Sequence, residues 1–112
     1  MHLNELKRII EKEEYKLKVE SMPGEQKIQK QIIDYLQKFK CYIIKTVVTT
    51  KAGVPDLIVC YKGKFIALEV KTDKGETTPL QYYNLREIEK AGGWGYIVRS
   101  VEDVQLILKQ LK

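Results

Sequence analysis

Three charged side chains sit where two apolar strands should end. In "GVPDLIVCYKGKFIALEVK", residues 53 to 71, Lys62-Gly63 suits a two-residue turn between two apolar runs. Counting outward from that turn pairs Tyr61 with Lys64, Ile58 with Ala67 and Leu57 with Leu68, so that Asp56 opposes Glu69. Opposed residues of antiparallel strands share a face, their Cβ atoms about 4.5–5.5 Å apart. Lys71, two residues beyond Glu69, projects from that face too. The spacing predicts two carboxylates and an ammonium together at one end of a sheet.

Two solutions satisfy such a cluster. Like charges opposite each other repel unless a cation or a proton lies between them. Lys71 can supply the cation, which makes a purely structural triad. A hard divalent ion is the other answer, since Mg²⁺ is held by one or two carboxylates with waters and phosphate oxygens. Geometry leaves both open. Ile58, Cys60, Phe65 and Ala67 fall on one face, and Leu57, Val59, Ile66, Leu68 and Val70 on the other. Both faces are apolar, which predicts a central hairpin covered on both sides.

The elements that must position this hairpin follow from periodicity. Residues 2 to about 19 read as a helix with Leu3, Leu6, Ile10 and Leu17 near one face, either laid on the domain surface or free to bind a partner. Residues 1–20 form an N-terminal amphipathic segment and 21–112 the main domain. In "SMPGE", Ser21 can cap and Pro23 suits a first turn. From Glu25 to Phe39 a clearer helix repeats Ile28, Ile32, Leu36 and Phe39, with Glu25 and Gln29 projecting on the same inward face. Glu25 could simply complement the helix N-terminus, where carboxylates are favoured.

Residues 41 to 50 are β-branched and predict a strand, and the hairpin follows. A helix opens at Thr78-Pro79 and runs to Ala91 before Gly92-Gly93. Thr78 and Gln81 have the spacing of a capping box, yet Gln81, Leu85 and Ile88 share the face that packs on the sheet. Residues 95–100 form a short strand, and Ser100 caps a last helix with a stripe of Val101, Val104, Leu108 and Leu111, Asp103 completing its start. The order is α-α-β-β-β-α-β-α, an α/β chain with a mixed central sheet flanked by helices.

In these elements the chain resembles a known family. Pro55-Asp56 followed by Glu69-Val70-Lys71 is the PD-(D/E)XK nuclease signature, weak when bare. "GEQKIQKQIIDYL", "GVPDLIV", "FIALEVK", "TTPLQ" and "AGGWGYIVRSVEDV" occur in the order and spacing of its VRR-NUC branch, the virus-type replication-repair nucleases, over roughly Gly24 to Val104. The likeness is to a stand-alone member with no attached helicase or SAP-type domain, and no motif is missing.

The resemblance implies a restriction-endonuclease-like core, with Asp56 and Glu69 as ligands of Mg²⁺ or Mn²⁺ and the Val70 carbonyl as a third. It implies that Lys71 orients or helps deprotonate the attacking water, that Glu25 is the helix acid joining the site, and that Gln81 is the glutamine after the Thr-Pro turn. It implies a hydrolysis leaving 5′-phosphate and 3′-hydroxyl, on DNA, with no nucleotide cofactor and no covalent enzyme intermediate. Small stand-alone relatives resemble homodimeric enzymes that resolve four-way junctions, with flap or splayed-arm cutting, general endonuclease activity and RNA processing as alternatives. A basic nucleic-acid-binding module is the rival from another class. Lys51 and Lys74, on loops flanking the charged end, are candidate phosphate contacts. Tyr82 and Tyr83 could stack on bases or pack on the helix surface.

The bulk numbers set the limits. A chain of 112 residues supports one core. A net charge of +5 favours an anionic partner, nucleic acid before membrane. No stretch approaches the roughly 20 apolar residues of a bilayer span, and no secretory signal is read, so a cytosolic chain is expected. His2 is the one histidine, which argues against a histidine base. Cys41 and Cys60 sit in apolar runs and are expected as reduced core residues, not zinc ligands.

Overall fold

The hairpin turns at Lys62 and Gly63, with φ of 51° and 76°. Positive φ at both central residues gives the turn whose twist matches that of flanking strands. The strands it joins, β2 (Leu57–Tyr61) and β3 (Lys64–Val70), pair in the expected register, Tyr61 opposite Lys64 and Leu57 opposite Leu68. An edge strand, β1 (Cys41–Lys45), pairs antiparallel with β2, and β4 (Trp94–Val98) pairs parallel with β3. The sheet order is β1-β2-β3-β4. This computed structural model describes residues 2–111; Met1 and Lys112, the outer ends of the two segments expected from sequence, lie outside the described residues.

Four helices complete the chain: α1 (Leu3–Glu20), α2 (Gly24–Leu36), α3 (Pro79–Lys90) and α4 (Val101–Gln110). One sheet face is sealed by α2 and α4. Ile32 and Leu36 of α2, Val104 and Leu108 of α4, and Leu57, Val59, Ile66, Leu68, Val70 and Val98 of the sheet form one buried cluster. Each such side chain contributes about 1.5–3 kcal/mol of transfer free energy. The other face is approached by α3 alone, beside β4, where a Cβ on Gly95 would stand 3.1 Å from Leu85 Cδ2.

Coverage of both faces, expected from the sequence, does not hold. Helix α3 lies against β4 and β3, so Tyr42 (71% exposed) and Ile44 of β1 remain open, as does Phe65 near the start of β3. Cys60 is exposed with them, contrary to its expected core position. Cys41 is half-buried and its thiol donates to the Leu36 carbonyl at 3.0 Å.

Several boundaries also move. The first strand stops at Lys45, not residue 50. Pro55 has no N–H with which to extend the ladder, and Thr46 instead closes the opening of β2, its hydroxyl donating to the Pro55 carbonyl at 2.7 Å. Helix α2 ends at Leu36, short of Phe39, because the chain must reverse before Cys41; Phe39 packs edge-on against Tyr35. Ser21 caps the end of α1, its hydroxyl donating to the Lys18 carbonyl, and Pro23 is the N-cap of α2. β4 begins at Trp94 and ends at Val98. Ser100 does cap α4, but Asp103 reaches back to the Arg99 amide.

The first helix does not lie along the domain. It packs chiefly against α2, and among its residues described just Val19 is buried, so the molecule extends to 55 × 30 × 26 Å. No helix among the described residues is long and apolar enough to cross a membrane.

Candidate active site

The charged end of the hairpin is built by two backbone hydrogen bonds. Asp56 immediately precedes β2, and its carboxylate Oδ2 accepts the Val70 N–H at 2.8 Å. That bond ties the start of one strand to the end of its neighbour and fixes the Asp56 side chain across the gap. Glu69, the penultimate residue of β3, is 2% exposed, and Lys71 just beyond it is 8% exposed. The Lys71 amide donates to the Val98 carbonyl, which holds the chain in the sheet past the end of β3. Lys71 Nζ then lies 3.8 Å from Glu69 Oε1.

A fourth side chain enters from α3. Thr78 and Gln81 form a reciprocal capping box, the Thr78 hydroxyl accepting from the Gln81 amide and the Gln81 side-chain oxygen accepting from the Thr78 amide. With its oxygen so engaged, Gln81 turns its NH₂ inward and donates to Glu69 Oε1 at 2.7 Å. The fifth, Glu25, is exposed in the first turn of α2, yet its charge is felt by both Asp56 and Glu69. Its helix is seated close to the site. A Cβ on Gly24 would meet Thr72 Cγ2 at 2.8 Å, so glycine permits the approach.

The electrostatics are short of positive charge. Burial, then the Asp56 carboxylate, pushes Glu69 up to about 7, and Lys71 only partly offsets them. Asp56 is raised as well, chiefly by burial, with the Val70 amide bond opposing. Glu69 Oε2 is buried and, among the described residues, has no hydrogen-bond partner. A buried acceptor without a partner costs about 1–3 kcal/mol, and a cation beside it removes that cost. The donor set therefore fits a hard divalent ion. Among the described residues no three Asp, Glu, His or Cys side chains gather into a metal cage. An ion here would rest on the Asp56–Glu69 pair and draw its other ligands from a carbonyl, water and phosphate, as Mg²⁺ does.

The structure thus brings together Asp56, Glu69, Lys71 and Gln81, with Glu25 at the rim and Val70 buried between the acids. Lys51 and Lys74 stay apart. Both are exposed, on the loops that enter β2 and leave β3, and their side chains make no hydrogen bond among the described residues. Tyr82 and Tyr83 are about half exposed on α3.

Three residues escaped the sequence reading. Lys45 lowers Asp56 by its charge, from the ladder position opposite Leu57; extending the hairpin register to β1 would have found it. Arg99 donates through Nη1 to the Thr72 and Gly75 carbonyls, clamping the turn that follows Lys71. An arginine directly after an apolar strand was the available signal. Asn84 donates to the Ala52 and Leu80 carbonyls and pins the loop before β2 to α3, a contact with no sequence signature.

No family model matches the chain, and no curated protein does. Solved structures do. One described as a VRR_NUC domain superposes with a TM-score of 0.69 at 22% identity, covering 79% of this chain and 97% of that one. A second, a VRR_NUC domain protein, gives 0.66 at 20% identity over 80% and 88% of the two chains. At such identities the likeness is one of fold. This chain has the α/β fold of those VRR_NUC domain structures.

Proposed function

We propose that this chain is a metal-dependent nuclease that hydrolyses phosphodiesters of DNA, and that as a homodimer it resolves branched substrates, four-way junctions first among them. The observation that carries the reading is the convergence of Asp56, Glu69 and Lys71 around a buried carboxylate oxygen that has no partner. The fold likeness supports it, since the two solved structures are VRR_NUC domains.

Asp56 and Glu69, with the Val70 carbonyl, would hold Mg²⁺ or Mn²⁺, which when bound neutralises phosphate charge and acidifies a water. The protein's own groups do the rest. Lys71 is nearly buried, and its single ionic partner at 3.8 Å leaves N–H donors free for the attacking water or a phosphate oxygen. As negative charge builds on the phosphorane, those donors stabilise it in a partly desolvated site, where they are worth most. Glu25, exposed at the rim, can accept a proton from water. Gln81 fixes one Glu69 oxygen and leaves the other open. Water oxygen bonds to phosphorus, the bond to the 3′-oxygen breaks, and a proton from solvent water completes the 3′-hydroxyl, leaving a 5′-phosphate on the other strand end. Lys51 and Lys74 would hold flanking phosphates from the two loops.

Asp56→Asn tests the reading. The asparagine can still accept the Val70 N–H, so the fold and DNA binding should persist while cleavage of a labelled four-way junction is lost. If wild type cuts nothing and the variant is merely less stable, the cluster is structural and the chain is a nucleic-acid-binding module.

A further inference from the structure

Buried polar atoms of folded proteins are, with few exceptions, hydrogen-bonded. Among the described residues four buried side-chain atoms have no partner: Gln29 Oε1, Asp34 Oδ2, Glu69 Oε2 and Thr77 Oγ1. Asp34 is the ordinary case, since its other oxygen accepts from Lys30 at 2.9 Å. Glu69 belongs to the acid cluster, and Thr77 directly precedes the capping box whose Gln81 bonds to Glu69. Gln29 has no such place. It is 8% exposed, the one buried polar side chain of α2.

Two contacts locate it. A Cβ on Gly24 would meet Thr72 Cγ2, and Ile32 lies in the buried cluster with Val70. The helix therefore runs along the end of β3, with Gln29 between those two contacts. Alternation turns Val70 and Thr72 toward α2 and Glu69 and Lys71 away from it, so Gln29 backs onto the acids without facing them. Glu25 connects the two. One turn nearer the helix start, on the same stripe as Gln29 and Ile32, it is exposed, and its charge acts on both Asp56 and Glu69.

We propose that Gln29 is a positioning residue for Glu25. An ordered water in the crease between α2 and the end of β3 donates one hydrogen to Gln29 Oε1 and the other to the Glu25 carboxylate, and so holds the helix acid toward the Asp56–Glu69 pair. The span fits. Side chains four apart on a helix have Cβ atoms about 5–6 Å apart, and one water joins two oxygens across roughly that distance with hydrogen bonds of about 2.8 Å each. The chemistry fits as well. An amide oxygen and a carboxylate are both acceptors, so they cannot bond to each other, and a molecule with two donors satisfies both. Internal water occupies such polar gaps, completing groups that the protein leaves open.

The competing account makes Gln29 a packing flaw of α2. An apolar side chain of similar shape would then be neutral or stabilising, with no effect on the site. On the present account the same replacement frees Glu25 to turn to solvent. That the position of Glu25 matters to cutting rests on the nuclease reading; the water and its hold on Glu25 do not.

The experiment combines metal-free crystal structures of wild type and Gln29→Leu with thermal melts, Mn²⁺ titration and junction cleavage. The last three also cover Gln29→Met, and both changes placed in Glu25→Ala. Wild type is expected to show a water within hydrogen-bond distance of Gln29 Oε1 and the Glu25 carboxylate, and Gln29→Leu to lack it, with Glu25 turned outward. Gln29→Leu should melt at or above wild type, yet bind Mn²⁺ or turn over about 10–100-fold less well, the kinetic loss falling in kcat with KM for DNA unchanged. In Glu25→Ala the same substitution should have no further effect on either readout, because a residue acting through another is not additive with it. Gln29→Met, unbranched like glutamine, keeps the test sound if leucine disturbs the packing. Three results overturn the proposal: a Gln29 oxygen bonded to a protein N–H with no water, wild-type Mn²⁺ affinity and kcat in both Gln29 variants, or a loss of equal size with and without Glu25. If wild type cuts no substrate, the nuclease reading falls, while the two structures and the Mn²⁺ titration still decide this one.

Discussion

Gln81 donates to Glu69 Oε1 at 2.7 Å while its own side-chain oxygen accepts the Thr78 amide at 2.9 Å. One glutamine therefore joins the first turn of α3 to the most buried acid of the site. The capping box fixes which end of the amide faces inward, so a local helix-start motif sets the orientation of a candidate metal ligand.

From this linkage, Gln81→Ala removes half of the cap and one partner of Glu69. A stability loss of about 1–2 kcal/mol is expected, together with a 10–100-fold fall (roughly) in metal affinity or activity, as for other partners of metal ligands. Gln81→Glu should be worse for metal-free stability, because it sets a further carboxylate against Glu69. Thermal melts and Mn²⁺ titration of both variants check this.

The metal-free protein should lose stability as pH rises. Glu69 has its folded value raised from 4.5 to about 7, so between those values the folded state holds a proton that the unfolded chain has released. Stability is highest below this window and falls through it, by on the order of 2 kcal/mol for a shift of this direction and scale. Melts in EDTA across the window should show the decline, and saturating Mg²⁺ should flatten it. A melting temperature that rises with pH in EDTA would contradict the charge picture.

Asp56→Asn relieves the repulsion on Glu69 and keeps an acceptor for the Val70 amide. Its melting temperature in EDTA should equal or exceed that of wild type, while the gain from added Mg²⁺ or Mn²⁺ disappears. A structural triad would show the reverse, a loss in EDTA and no metal response in either protein.

Gly53→Ala should be costly for a reason unrelated to chemistry. Its φ is +74°, and a Cβ there would stand 2.7 Å from Leu80 Cγ. Strain and overpacking together should cost about 1–3 kcal/mol, read as a lower melting temperature with the metal response retained.

Much of the site was legible because the hairpin is a counting problem. Once Lys62-Gly63 is a two-residue turn, the register of Leu57 with Leu68 follows, and the nearness of Asp56 to Glu69 with it. The period of 3.6 likewise put Gln81 on the inward face of α3 beside Leu85. What failed was whatever depends on which elements come to rest on which. Alternating apolar residues show that a strand has two apolar faces, not that both are covered, so Phe65 and Cys60 were assigned to a core that α3 does not reach. Val47 and Val48 have high strand propensity, but the partner strand begins only after Pro55, so the loop leaves the sheet. The Arg99 clamp joins carbonyls over 20 residues away in sequence, so an arginine after an apolar strand signals a clamp without naming its partners.

The most direct test of the nuclease reading is cleavage of a labelled panel: four-way junction, flap, splayed arm, duplex and single strand. Each would be run with Mg²⁺, Mn²⁺ and EDTA, for wild type and Lys71→Ala. The expected result is metal-dependent cutting of the junction by symmetric nicks, reduced at least about 10²-fold in the variant. No cleavage of any substrate by wild type with either metal, alongside undiminished DNA binding by both proteins, would contradict it.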